Sequence, residues 1–221
     1  DKDEKKHCIN VLRYKLNDIV NVVDGSGNLY DCQLVEYNKH DCKLKINKIH
    51  TNYNKRNYYV HIAISPIKSH DRLEFFVEKA VEIGVDEISF IKCERTLRKT
   101  IKIKRILRTA IVAMKQTMQA KLPKINTLID FDDFICNYYD ENKFICHLQN
   151  NKRKSIFDYK KSFRKKRNSC ILIGPEGDFS IDEISKSINN NFKPITLGKN
   201  RLRTETAGIV SCQLIHSING L

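Results

Sequence analysis

The sequence predicts an α/β protein in two parts, a small all-β front over residues 1–55 and a larger domain over 56–221 built on a parallel sheet. Three observations predict it. The first fifty or so residues hold strand-like runs around a glycine-rich turn. From Tyr58 onward, short apolar runs alternate with stripes at helical spacing, the pattern of strands covered by helices. Half of the eight glycines fall between residues 174 and 208, just after such apolar runs.

At the front, Ile19–Val23 and Leu29–Val35 flank Asp24-Gly25-Ser26-Gly27, a hairpin signal. Cys42, Leu44 and Ile46 alternate with lysines, as a half-buried strand does. The polar run Tyr53-Asn54-Lys55-Arg56-Asn57 marks the boundary. Beyond it, Tyr58–Ser65 is β-rich and stops before Pro66. Leu73, Phe76, Val77, Ala80 and Val81 recur at helical spacing up to Gly84. Asp86–Ile91 is the next expected strand. Ile103, Ile106, Leu107, Ala110, Ile111, Met114 and Met118 form one apolar helical stripe, opposite Arg105, Arg108 and Lys115. Further strands are expected at Lys143–Leu148, Ser169–Ile173 and Ile195–Leu197.

Composition is that of a folded soluble protein, with 41% hydrophobic and 30% charged residues. No apolar stretch is long enough to cross a bilayer, so no membrane partner is expected. The opening DKDEKKHCIN is charged, so no secretory signal is expected there; it lacks an initiator methionine. None of the eight cysteines forms a C-x-x-C pair, and no histidines complete a zinc spacing. They read as reduced, buried, small apolar residues of a cytoplasmic protein without a metal. Net charge is +14, and its distribution says more than its total. Residues 92–108 carry eight basic side chains and one acid, and residues 152–167 carry nine and one. Such clusters suit a polyanion, with a solvated basic face as the alternative.

The chemistry is expected where two strands end in glycine loops. Ile171-Leu172-Ile173-Gly174-Pro175-Glu176-Gly177-Asp178 reads as a buried strand and a tight loop. Ser180 and Glu183 then have the spacing of a capping box, which fixes a helix start. The loop is neither a Walker motif nor a dinucleotide fingerprint. Loops leaving the carboxyl ends of parallel strands are nevertheless where α/β proteins bind ligands. The second segment, Ile195-Thr196-Leu197-Gly198-Lys199-Asn200-Arg201-Leu202-Arg203-Thr204-Glu205-Thr206-Ala207-Gly208, ends a strand in a glycine turn and opens a helix with charged residues.

GPEGDFSIDEI followed by LGKNRLRTETA resembles the paired signature of the RsmE family, the 16S ribosomal RNA uracil N3-methyltransferases of the SPOUT class. KSHDRLEFFVEKAVEIGV at 68–85, DEISFIKCERT at 86–96, Met114-Lys115-Gln116-Thr117, and the front segments His7–Arg13 and Asp24–Gly27 are similar to the family in the same order. The resemblance implies a PUA-like β-barrel for RNA binding and a SPOUT domain with a carboxyl-terminal trefoil knot. It further implies S-adenosyl-L-methionine as cofactor, 16S rRNA in the assembled small ribosomal subunit as partner, and a homodimer. The expected cofactor walls are Leu172, Ile173, Gly174, Glu176 and Gly177, then Leu197 and Gly198, then Leu202, Arg203, Thr206 and Ala207. Asp178 stands where the family commonly has a second glycine, and Asn200-Arg201 where many members have Arg-Ile. The barrel is expected to lack its first strand, which would weaken RNA binding.

Uracil N3 is a poor nucleophile while protonated, so transfer requires removal of its proton or stabilisation of the developing charge. Arg203 is the expected stabiliser, and Glu205 is expected to orient Arg203 or take the proton. Arg13, Arg95, Arg98 and Lys99 are expected RNA contacts; Arg72 is either another or a helix-surface residue. Two other readings stay open, a knotted methyltransferase acting on a ribose 2′-hydroxyl or another RNA, and a non-catalytic RNA-binding assembly factor.

Overall fold

The computed structural model describes residues 5–38, 41–138, 142–149, 153–165 and 168–220. It divides into two compact units, Asp1–Lys55 with Met114–Leu122, and Arg56–Ala113 with Pro123–Leu221.

In the first unit β1 (Ile19–Val23), β2 (Leu29–Tyr37) and β3 (Cys42–His50) form an antiparallel sheet in that order. The turn between β1 and β2 is organised by Asp24. Its carboxylate accepts hydrogen bonds from the Ser26 amide and hydroxyl, both at 2.7 Å, and from the Tyr30 hydroxyl at 2.8 Å. The Ser26 hydroxyl, the foremost of these donors, holds the carboxyl well below the ordinary aspartate range. The segment 114–122 joins this unit through backbone bonds from Gly27 N–H to the Ala120 carbonyl and from Leu122 N–H to the Gly25 carbonyl, each 2.9 Å. The alternation expected along β3 breaks at Ile46, which is 53% exposed. Just beyond it, Asp31 pairs with Lys48 while Cys32 pairs with Ile46, so Asn47 is an extra residue that interrupts the ladder.

The second unit carries a seven-stranded sheet in the order β6-β5-β4-β9-β7-β10-β8. Its strands are β4 (Val60–Ile64), β5 (Glu87–Lys92), β6 (Lys124–Asp130), β7 (Asn142–Cys146), β8 (Lys154–Ser155), β9 (Ser169–Ile173) and β10 (Lys193–Thr196). Every pairing is parallel. The central β4 and β9 are buried at every position, as strands covered on both faces must be. The helices are α1 (His70–Ile83), α2 (Ile103–Gln116), α3 (Phe131–Asn137), α4 (Lys160–Lys165), α5 (Ile181–Asn189) and α6 (Thr204–Asn219). Helix α1 buries Leu73, Phe76, Val77, Ala80 and Val81, the expected stripe. It crosses α6 at Gly208, where an added Cβ would stand 2.5 Å from the Phe76 ring, so a larger residue cannot fit without moving a fully buried phenylalanine.

Three features differ from the sequence expectation. Strand β6 and helix α3 were not expected; KINTLID is an edge strand with little buried surface, and its apolar residues do not alternate cleanly. Helix α2 ends at Gln116, and Met118 lies beyond it in the left-handed region at φ 53°. Among the cysteines, Cys32, Cys93, Cys170 and Cys212 are buried as expected, but Cys8, Cys42 and Cys146 are only partly so, and Cys136 is exposed because α3 turns that face outward. Among the described residues, no helix is long and apolar enough to cross a membrane.

Beneath α6 lies a partly buried polar cluster around the buried His216. The Arg56 guanidinium and the Tyr58 hydroxyl reach His216 Nδ1 at 3.0 and 2.8 Å, and Arg56 pairs with Asp86 at 3.0 Å. Burial, assisted by the Arg56 charge, pushes the His216 pKa down to about 4. An unfolded chain binds this proton near pH 6.5 and the folded one resists it. Stability is therefore full above pH 6.5 and declines as the pH falls toward 4, by about 3 kcal/mol. Urea unfolding between pH 7 and 4.5 measures this; a His216→Gln chain should show a flatter profile, and parallel profiles would clear His216 of the effect.

Candidate functional site

The site forms at the carboxyl edge of β9, β7 and β10. Cys146 pairs with Ile173 on one side and Ile195 on the other. The chain therefore leaves the sheet at neighbouring points, after Ile173 and Cys146 and, one residue further along, after Thr196, and the loops that follow enclose a cleft of about 410 Å³. Parallel pairing makes this inevitable, since every strand ends at the same edge.

The loop after β9 is fixed by its own turn and by bonds from its neighbours. Gly174 permits a close approach, since a Cβ there would lie 3.0 Å from the Phe179 ring. The Asp178 amide donates to the Pro175 carbonyl at 2.9 Å, closing a tight turn. Asp178 has φ 64°, a left-handed conformation that aspartate tolerates better than most residues. Its carboxylate accepts from the Phe179 amide and, across the cleft wall, from the Leu148 amide, both at 2.9 Å. The capping box is present: Ser180 Oγ accepts from the Glu183 amide, and Glu183 Oε2 from the Ser180 amide. Glu183 Oε1 also accepts from the Glu94 amide at 2.8 Å. Glu176 accepts from the Lys68 amide at 2.9 Å, and Arg95 donates to the Gly177 carbonyl at 2.8 Å.

The loop after β10 turns at Gly198, whose φ of 136° only glycine adopts readily. The Thr196 hydroxyl donates to the Gly198 carbonyl at 2.9 Å. Arg203 is the exposed N-cap of α6, and the Thr204 hydroxyl donates to the Gly174 carbonyl at 3.2 Å, tying the two loops together. Glu205, in the first turn of α6, has a nearly buried side chain that faces Arg72 Nε at 3.8 Å. A carboxylate there is favoured by the helix dipole.

Residues 54–216 match the family model of the RNA methyltransferase domain, and residues 1–47 that of the RNA methyltransferase PUA domain. The chain belongs to the RsmE family. It is 30% identical to the ribosomal RNA small subunit methyltransferase E of Buchnera aphidicola subsp. Acyrthosiphon pisum over 99% of this chain and 87% of that protein. A crystal structure from Porphyromonas gingivalis matches with a TM-score of 0.89 and 34% identity, covering 99% and 92% of the two chains. A ribosomal RNA small subunit methyltransferase E from Neisseria gonorrhoeae, solved bound to S-adenosyl methionine, matches with a TM-score of 0.87 and 26% identity over 99% and 90%.

In this RsmE chain the cleft gathers Ile173, Gly174, Glu176, Leu197 and Gly198 with Leu202, Arg203, Glu205 and Ala207. Arg72 lines it as well. Leu172, Gly177 and Thr206 do not line it; Leu172 is buried in the sheet and Gly177 packs on Arg95. Arg98 is committed within the fold, donating to the carbonyls of Ile67 and Lys68 and contacting His70. Lys99 is exposed, and Arg13, also exposed, stands in the first unit at φ 57°. Sequence reasoning missed Cys146, His147, Leu148 and Arg153, which line the cleft from the β7 side. No glycine or charge pattern marks Cys146, His147 and Leu148, which look like the end of a core strand, and Arg153 is hidden as one of nine basic residues in the 152–167 run. Burial lowers the His147 pKa, keeping the ring neutral, and raises that of the Cys146 thiol to about 12.

The Asp178 tie gives a graded expectation. Asp178→Ala loses both loop bonds and places a Cβ residue without side-chain bonds at positive φ, lowering stability by about 1–2 kcal/mol, a few degrees of thermal midpoint. Asp178→Gly loses only the bonds and should fall between wild type and the alanine chain in thermal unfolding. A midpoint unchanged in both variants would mean the tie contributes nothing.

Proposed function

We propose that this chain transfers the methyl group of S-adenosylmethionine to N3 of a uridine in 16S ribosomal RNA, acting on the small subunit as a homodimer with a knotted cofactor loop. The observation that carries the reading is the single cleft in which Gly174, Gly198, Arg203 and Glu205 meet. Its walls fit the cofactor: two glycines expose backbone where a ligand must approach closely, and Ile173, Leu197 and Leu202 supply apolar surface for a flat base. The gonococcal relative solved with S-adenosyl methionine shares this fold. Loops 173–176, 197–198 and 202–207 would hold the cofactor, which supplies an electrophilic methyl group.

The chain's residues supply the rest. Arg203, exposed at the cleft mouth and anchored by its place as N-cap, is free to meet the negative charge that develops on the uracil ring. Glu205 is the candidate proton acceptor, or the group that orients an arginine. Arg72 stands close enough for that second role, which gives it a function inside the cleft as well as a possible phosphate contact. Arg13, Arg95 and Lys99 remain the proposed RNA contacts. Arg98 is proposed to act by shaping the loop that carries them, because its guanidinium already meets Ile67, Lys68 and His70, whereas Arg95 has one backbone bond and stays exposed.

The test is methyl transfer to 30S subunits that lack uracil N3 methylation, with the product mapped by nuclease digestion and mass spectrometry. A single 3-methyluridine in 16S RNA is expected; a methylated ribose or another RNA would overturn the substrate while keeping the enzyme class. Arg203→Ala should lower kcat by about 10²-fold with cofactor affinity little changed. Glu205→Gln should lower kcat by a similar factor if the carboxylate takes the proton, and near-normal turnover at saturating substrate would remove that role.

A further inference from the structure

His147 combines three properties that do not belong to a core histidine. It is 3% exposed, neither ring nitrogen has a hydrogen-bond partner among the described residues, and it lines the cleft. The other two buried histidines of this unit are satisfied. His61 reaches Ser89 at 2.8 Å and the Tyr138 hydroxyl at 3.0 Å, and His216 is held by Arg56 and Tyr58. An imidazole withdrawn from water without partners is unfavourable, and it persists where a ligand completes its bonds.

We propose that His147 is a ligand-contacting residue, its neutral imidazole hydrogen-bonding the adenosyl part of S-adenosylmethionine. The proposal rests on the cofactor occupying this cleft. Sheet order decides which part of the molecule it meets. Helix α6, which carries Glu205, packs on β4 and β9, so the Arg72–Glu205 charges belong to that side. His147 follows β7 instead, between the loops of β9 and β10 and beside Leu148, Ile173 and Ile195. Neither nearby charge is bonded to the ring. Arg153 donates to the His147 carbonyl at 2.5 Å, and Asp178 accepts from the Leu148 and Phe179 amides. A neutral ring offers one donor and one acceptor, which suits the uncharged hydroxyls and base nitrogens of adenosine. The two charges nearby, Arg153 and Asp178, are committed to backbone groups of the loops, so the charged methionine end is less well matched to this wall.

The experiment compares wild type, His147→Leu and His147→Asn by calorimetric titration with S-adenosylhomocysteine and with adenosine, alongside thermal unfolding of each unliganded chain. Leucine removes the orphaned polar group and keeps the volume, so the unliganded chain should melt at or above the wild-type temperature. Its affinity for both ligands should fall by about tenfold. Asparagine, which retains a donor and an acceptor, should recover part of that loss. Weaker binding of S-adenosylhomocysteine with adenosine unaffected would place the contact at the amino-acid end and overturn the proposal. Equal affinities in all three chains, or a leucine chain that melts markedly earlier, would make His147 a structural residue. Absence of binding by folded wild type would remove the cofactor reading of the cleft itself, and the proposal with it.

Discussion

Parallel pairing is the constraint on which the site depends. In an antiparallel sheet, neighbouring chain ends alternate between edges; here β9, β7 and β10 all run out at one edge, within one residue of one another. Three loops that are distant in sequence must therefore emerge together. The buried strands hold that edge rigid: Ile171, Leu172 and Ile195 are fully enclosed, and β4 braces β9 from the other side. Strand pairing thus places the loops, and loop chemistry has only to shape them.

Shaping is done by polar groups that each serve two neighbours. Glu183 caps its own helix and receives the amide of Glu94. Asp178 closes its own turn and receives the amide of Leu148. The Thr204 hydroxyl, opening α6, reaches the Gly174 carbonyl. Each bond contributes about 1 kcal/mol alone, yet together they hold the cleft walls before any ligand arrives. Pre-ordering of this kind reduces the entropy lost on binding. The partly exposed arginines at the mouth, Arg72 and Arg203, are less constrained, which suits groups that meet a large RNA.

Much of the second unit was legible in the sequence because its signals are local. The stripe on α1, the Ser180–Glu183 box and the apolar run of β9 each follow from residues within a few positions of one another. Helix α2 was overrun at Met118 because a stripe continues in sequence whether or not the backbone does. Strand β6 escaped because it lies at an edge, where half its residues face water and the apolar alternation is lost.

The sequence by itself determined most of the elements, the two glycine loops and, through the ordered resemblance of its segments, the family. Only the tertiary structure decided which side chains share the cleft. His147 and Leu148 carry no marker, and they become site residues because β7 lies between β9 and β10, an order that chain sequence does not dictate. The same holds for Arg98, a plausible RNA contact by composition, which folding commits to the carbonyls of Ile67 and Lys68. Local propensity acts over a few residues and can be read along the chain. Strand order and hydrogen-bond partners arise from contacts between distant segments, and only the folded backbone brings those segments together.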